Sequence, residues 1–164
     1  MVLRIVPRTV TKVMIGVVAA LLAVAPPAAA AGPPQSGSGS GTITIADIEV
    51  VREAGGNSIQ DRVIHGDVEG TLEGTFVQEV RGVVHPNGDV TFQGTMTFTG
   101  TIGPCGEGTI TLGLTGKGQA GEAPVTESRV RPINQAANDV AVTGQGTVSQ
   151  IGPFITYDLQ YACR

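Results

Sequence analysis

The stretch that decides the fold is residues 68–102, which read VEGTLEGTFVQEVRGVVHPNGDVTFQGTMTFTGTI. On both sides of the central HPNGD segment, most even-numbered positions are apolar or glycine and most odd-numbered positions are polar. Successive side chains of a β-strand point to opposite faces, so a period of two predicts strands with one buried and one solvated face. The stretch therefore predicts a β-hairpin whose two strands bury their even-numbered residues.

The turn of this hairpin follows from the same parity. Residues that lie opposite each other in an antiparallel pair point to the same face, so their numbers must here have an even sum. A three-residue loop at 86–88 meets this condition by pairing His85 with Asp89, and its Pro-Asn-Gly sequence suits the turn. The predicted register places Gly82 opposite Phe92, so that an aromatic ring covers a glycine.

Weaker period-two patterns in the rest of the chain bring the predicted number of strands to about eight. The other candidate strands are 42–52, 59–66, 109–116, 125–130, 140–150 and 155–163. An open antiparallel sheet of long strands would leave exposed edges, whereas a closed barrel has none. The predicted fold class is therefore all-β, as a single antiparallel barrel of about eight strands rather than a sandwich.

Three glycine-rich motifs in this pattern resemble those of a known family. They are GDVEGT at 66–71, GTIG at 100–103 and GQGT at 144–147. Together they resemble a family of uncharacterised secreted actinobacterial proteins that is similar to the allene oxide cyclase-like and dirigent-like β-barrels. The resemblance implies an eight-stranded antiparallel barrel with a central cavity. It implies no established activity, and no catalytic residue can be transferred from it.

The first 31 residues have the order of an export signal. Three basic residues precede an apolar run at 14–25, and a run of alanines ends at Ala31. The apolar run has 12 residues, whereas a membrane-spanning helix needs about 20. The sequence predicts a signal peptide cleaved near Ala30 or Ala31, and hence a secreted protein with no membrane span in its mature form. A retained membrane anchor is the alternative.

The segment after the predicted signal peptide has a different composition. Residues 32–41 read GPPQSGSGSG, which is typical of a flexible linker. The predicted organisation is thus a signal peptide at 1–31, a flexible linker at 32–41 and a β-barrel domain at 42–164.

Charge and composition limit the classes of ligand. Three of the ten basic residues lie in the predicted signal peptide, so the mature chain has seven basic and fourteen acidic residues, a net charge of −7. This charge repels a phosphate backbone, and nucleic acid is not expected as a partner. The two histidines, His65 and His85, show no metal-ligand spacing with the cysteines, so we predict neither a metal nor another cofactor.

The two cysteines, Cys105 and Cys163, both lie in the predicted exported part. Paired cysteines are common in oxidising compartments, so we predict a disulfide between them. Two unpaired thiols that are too far apart to bridge are the alternative.

Three residues are candidates for lining a ligand cavity. Gln78 is the polar residue on the inward face of residues 68–102, opposite Met96 in the predicted register, and could orient a ligand there. Its alternative role is a buried amide with backbone or water partners. Tyr157 and Tyr161 share the predicted inward face of the last strand, where they could line a hydrophobic site or simply fill the core.

Asp61 is the fourth candidate. It shares a face with the apolar residues Ile59 and Val63, which predicts an inward side chain and places Arg62 outward with Ile64. An inward carboxyl could act as a general acid or base. A solvated carboxylate at the end of a strand is the alternative.

These observations leave three functions open. The first is a secreted, non-enzymatic β-barrel that binds a small hydrophobic ligand or a protein partner, since the predicted inward face carries little reactive chemistry. The second, which rests on the family resemblance alone, is an isomerase or cyclase that acts on a hydrophobic substrate in the cavity. The third is a structural extracellular protein whose core leaves no cavity.

Overall fold

The computed structural model describes residues 32–164, and the predicted signal peptide at 1–31 lies outside the described residues. Eight antiparallel strands close into one barrel in chain order. They are β1 (Gln35–Ala54), β2 (Asn57–Gly70), β3 (Leu72–Val84), β4 (Asp89–Ile102), β5 (Glu107–Gln119), β6 (Val125–Ile133), β7 (Val142–Ile151) and β8 (Phe154–Cys163). Short 3-10 turns lie at Gly103–Cys105 and Gln135–Ala137. The predicted all-β fold, an antiparallel barrel of eight strands, is confirmed.

The β3–β4 hairpin has the predicted register. Gly82 lies opposite Phe92, and the N–H of His85 donates to the carbonyl of Asp89 over 2.8 Å. Gly88 ends the three-residue loop with a φ of 86°, a conformation that favours glycine. Period-two parity and turn chemistry were sufficient to predict this part of the fold.

The inward positions of the strands form a continuous apolar core. Phe76 and Phe98 oppose each other and are 2% and 0% exposed. Large side chains occupy the space above glycines: the ring of Phe92 lies against Gly116, and a Cβ on that glycine would overlap it. The other members of the core are mostly aliphatic: Val68, Leu72, Val80, Met96, Ile102, Ile110, Leu112, Leu114, Val130, Val140, Val142, Val148 and Ile155, with Tyr157 and Tyr161.

The predicted flexible linker at 32–41 is wrong, because β1 begins at Gln35 and pairs with β8 from there to Thr42. The GSGSG repeat is itself a period-two pattern. Gly39 and Gly41 lie opposite Tyr157 and Ile155, two core residues. Glycines on the inward side make room for these side chains, while the serines alternate outward. The barrel therefore begins well before residue 42.

The barrel is strongly staggered at its β1–β8 seam. A path that starts at Gly39 and steps from each residue to its paired residue on the next strand, from β8 round to β2, returns to β1 at Val50 and not at Gly39. β1 pairs with β8 only as far as Thr42 but with β2 as far as Ala54. Residues 44–54, which we call the β1 overhang, therefore extend beyond the start of β8.

The two ends of the barrel are built differently. We call the end that carries the β1–β2, β3–β4, β5–β6 and β7–β8 turns the upper rim, and the opposite end the lower end. At the lower end, β6 leaves β7 after Val130, and the side chain of Asn138 bonds to the backbone of Thr111 and Ile133 instead. The part of the chain that the structure describes contains no helix long and apolar enough to cross a membrane.

Candidate functional site

The interior of the barrel is filled by its own side chains. A void of about 30 Å³ lies near the lower end, among residues that include Leu72, Ile110 and Tyr161. Ligand pockets usually measure roughly 300–1,000 Å³, so this space is far smaller than a drug-sized molecule. A larger concave region, of about 1500 Å³, lies along the outer wall, where it is lined by outward side chains such as Arg129 and Gln93.

Gln78 points inward as predicted, and it lies opposite Met96. Its amide nitrogen is 3.5 Å from the sulfur of Met96, and the side chain is half-buried. A thioether is a weak acceptor, so this contact positions the amide only loosely. The structure brings Gln78 into contact with neither tyrosine candidate.

Tyr157 points inward and its hydroxyl is bound at the lower end by the turn between β2 and β3. The hydroxyl accepts from the N–H of Leu72 at 2.8 Å and lies 3.0 Å from the carbonyl of Glu69 and 3.2 Å from that of Leu72. Burial raises the pKa of Tyr157, against the effect of the backbone bond to Leu72. With its hydroxyl engaged by backbone groups, this tyrosine has a structural role.

Tyr161 is also buried at the lower end, with its hydroxyl against Gly103. The predicted disulfide between Cys105 and Cys163 forms next to it, with Cα atoms 5.2 Å apart. This bridge joins the β4–β5 connection to the end of β8. The lower end is therefore closed by a covalent bond and by tyrosine side chains.

Asp61 does not point inward, and this prediction is wrong. Its carboxylate lies on the outer wall, where it accepts from Nε and Nη2 of Arg81 at 2.6 and 2.7 Å. The hydrogen bond from Arg81 lowers the pKa of Asp61, and the pair is exposed to solvent. Parity gives the wrong face here because Ile59 and Val63, which share the face of Asp61, are apolar although they point outward.

Arg62 takes the inward position that was predicted for its neighbour. It lies on the inner face of the sheet between Ile48 and Val80, and its Nε and Nη2 donate to the side-chain oxygen of Gln60 at 3.1 and 2.7 Å. Desolvation lowers the pKa of Arg62. Counting back by twos from the core residue Val68 would have found this position from the sequence.

Arg62 is thus a cation at the upper rim with spare hydrogen-bonding capacity. The ion pair found in residues 32–164 is the one between Asp61 and Arg81, so no carboxylate there neutralises Arg62. A guanidinium presents donors in a planar fork that matches a carboxylate. The arrangement can therefore receive an anionic group from outside the barrel.

The upper rim also carries most of the exposed large apolar side chains of the described residues, whereas Val63 lies on the outer wall in the middle of β2. All eight belong to the β1–β2 hairpin or to the ends of strands beside the other upper turns: Ile45, Ile48, Val50, Val51, Val63, Val125, Ile151 and Phe154. Ile151 lies opposite both Val125 and Phe154, so these three form one outward row across β6, β7 and β8. Ile151 and Phe154 are each 65% exposed. We call these three residues the rim row.

No group of three or more His, Cys, Asp or Glu residues within 32–164 is placed to hold a metal ion. No protein-family model matches the chain, and no curated protein matches it. The resemblance to the allene oxide cyclase-like and dirigent-like barrels stays a prediction. The candidate site is therefore defined by its geometry, as an upper rim that combines exposed apolar side chains with an uncompensated arginine.

Proposed function

We propose that this chain is a secreted, non-enzymatic binding protein that recognises a protein partner with its upper rim. The observation that carries the proposal is the concentration of exposed large apolar side chains at that rim, where seven of the eight lie. Contiguous exposed apolar surface in a folded domain often marks a site of association, whereas scattered single residues do not. The disulfide at the lower end is typical of proteins that act in an oxidising compartment.

Three features favour a protein partner over a small molecule inside the barrel. The core void measures about 30 Å³, which is too small for a hydrophobic ligand of ordinary size. The hydroxyl of Tyr157 is engaged by the backbone at the lower end. The rim, by contrast, offers exposed apolar side chains, and one of them, Ile48, lies opposite Arg62. Apolar anchors with a neighbouring arginine are characteristic of protein interfaces.

A cross-linking experiment in the secreting host tests the proposal. A photo-reactive phenylalanine derivative replaces Ile151 in the rim row of one variant and Thr115 in a matched control. Both positions face outward and are exposed, but Thr115 belongs to the outer wall away from the rim. Illumination of the secreted protein should produce a discrete adduct from position 151 and none from position 115.

Two results would contradict the proposal. Equal adducts from positions 115 and 151, or none from either, would mean that the rim is not the recognised surface. Extra mass of a small molecule in the native wild-type protein, lost on denaturation, would instead support the hydrophobic-ligand alternative. Such a ligand would have to open the filled core of the barrel.

A further inference from the structure

The β1 overhang presents a free strand edge. Residues 44–54 pair on one side with β2, and on the other side β8 ends its pairing at Thr42. The last backbone contact at the seam is the bond from the N–H of Ile43 to the carbonyl of Pro153, at 2.7 Å. A free edge of this kind displays N–H and C=O groups that can pair with another extended chain.

The free edge is regular between two irregularities. Register shifts lie between Ile43 and Ile45 and between Val50 and Arg52, and residues 45–50 keep an unbroken register with β2 between them. This run exposes Ile48 and Val50 on the inner face of the sheet, at 57% and 52%. An added strand would cover both side chains and extend the apolar inner face.

The charges along the edge decide which strand can be added. Asp47 and Glu49 face the outer side of the sheet, opposite Val63 and Asp61 on β2. Residues 44–54 carry three acidic side chains and one basic side chain, so their net charge is negative. A second copy of the same edge would therefore place negative charge against negative charge. Like charges across a strand pair are destabilising, whereas opposite charges are favourable. The edge is therefore protected against self-association but complementary to a basic strand.

The position of β8 supports the same conclusion. A strand added along 44–54 would continue the line of β8 beyond its first residue, Phe154, because both lie on the same side of β1. Phe154 is 65% exposed and would contact the end of the added strand. The rim row and the free edge thus meet at the seam and form one continuous surface.

We propose that an extended segment of the partner adds to the barrel as a ninth strand along the β1 overhang. Its outward side chains opposite Asp47 and Glu49 are basic, and its inward side chains opposite Ile48 and Val50 are apolar. This inference rests on the proposed function and specifies how the rim engages its partner. The backbone hydrogen bonds supply affinity, and the alternation of charge supplies selectivity.

A peptide experiment on the mature protein tests this mode of binding. The probe is a short peptide in which valine and lysine alternate, and amide hydrogen exchange is followed residue by residue. The peptide should slow exchange at least tenfold within residues 44–50 and leave the lower end unchanged. A peptide with the same side chains but with N-methylated backbone nitrogens on one edge should give no protection, because it cannot extend the sheet.

A charge exchange provides the matched variant. In Asp47→Lys/Glu49→Lys, the valine–lysine peptide should lose its effect and a valine–glutamate peptide should gain it. Slow exchange throughout the lower end would show that the variant is folded. Both substitutions are at exposed positions and lie outside the core.

Three results would overturn the inference. They are no protection of 44–50 by the valine–lysine peptide, equal protection by the N-methylated peptide, or protection that rises with protein concentration alone, which would identify a second copy as the occupant. If position 151 still cross-links a partner in any of these cases, strand addition fails and the proposed function stands. If position 151 gives no adduct, the proposed function fails as well.

Discussion

The same eight strands form both ends of this barrel, but the two ends differ in how their backbone and side chains are bonded. At the lower end, a disulfide joins Cys105 to Cys163 and the hydroxyl of Tyr157 bonds to the backbone of the β2–β3 turn. At the upper rim, the overhang has a free edge, Arg62 has no carboxylate partner within residues 32–164, and the rim row is exposed. The lower end is thus held by covalent and hydrogen bonds, whereas the upper rim carries the surface for which we propose a role in recognition.

The largest expected effect on stability comes from removing the disulfide at the lower end. Replacing both cysteines (C105S and C163S) should lower the free energy of unfolding by about 2–5 kcal/mol, because the unfolded chain regains the freedom that the bridge removes. Chemical denaturation of the purified protein measures this loss. The rim double variant I151S/F154S is the control, and its stability should change by no more than about 0.5 kcal/mol. A larger loss of stability in the rim variant than in the cysteine variant would show that stability is not concentrated at the lower end.

The next effect concerns the hydroxyl of Tyr157. Tyr157→Phe leaves the ring in the core but removes the acceptor for the N–H of Leu72. An unpaired buried donor costs about 1–3 kcal/mol, and we expect a loss of stability in that range. The measurement is the midpoint of urea unfolding at neutral pH. An unchanged midpoint would show that the hydroxyl does not stabilise the lower end.

The same tyrosine should make stability depend on alkaline pH. Burial raises the pKa of Tyr157 in the folded protein, so the neutral phenol is favoured by folding. Its contribution is full below the ordinary tyrosine pKa of about 10 and is lost as pH rises through the higher folded value. Unfolding free energy followed from pH 8 upward should decline in the wild type, and the decline should be shallower in Tyr157→Phe. Parallel curves would assign the decline to other groups.

The smallest effect is expected at the ion pair on the outer wall. Asp61→Asn removes the partner of Arg81, but the pair is exposed to solvent, and exposed ion pairs contribute little to stability. Because Arg81 lowers the pKa of Asp61, the contribution is present above the ordinary carboxyl pKa and is lost as pH falls through the lower folded value. Thermal unfolding at neutral and acidic pH checks this, with Glu73→Gln as the control. A loss comparable to that of Tyr157→Phe would show that the outer wall, too, is a source of stability.

The sequence predicted most of the barrel because alternation is a local property. The pairing of Gly82 with Phe92 followed from parity and turn length, and the inward positions of Tyr157 and Tyr161 followed from parity alone. The disulfide followed from the compartment that the predicted signal peptide implies. These features depend on neighbouring residues or on a single pairing rule.

Residues 35–41 of β1 were not predicted as strand, because their Gly/Ser composition outweighed their period-two pattern. The GSGSG repeat was interpreted as a linker, whereas its alternation places Gly39 against Tyr157 in the folded barrel. The sequence did not predict the inward position of Arg62, because the outward residues Ile59 and Val63 of β2 are apolar and gave the wrong parity. The rim itself follows from the stagger at the seam, which depends on all eight strands and has no local signal.

The most direct test compares the two ends in one binding experiment. The partner identified by cross-linking from position 151 is titrated against the wild type, the rim variant I151S/F154S and the lower-end variant Tyr157→Phe. We expect a Kd at least about tenfold weaker for the rim variant, equivalent to about 1.4 kcal/mol, and an unchanged Kd for Tyr157→Phe. A Kd that is unchanged in the rim variant and weakened in Tyr157→Phe would contradict this expectation.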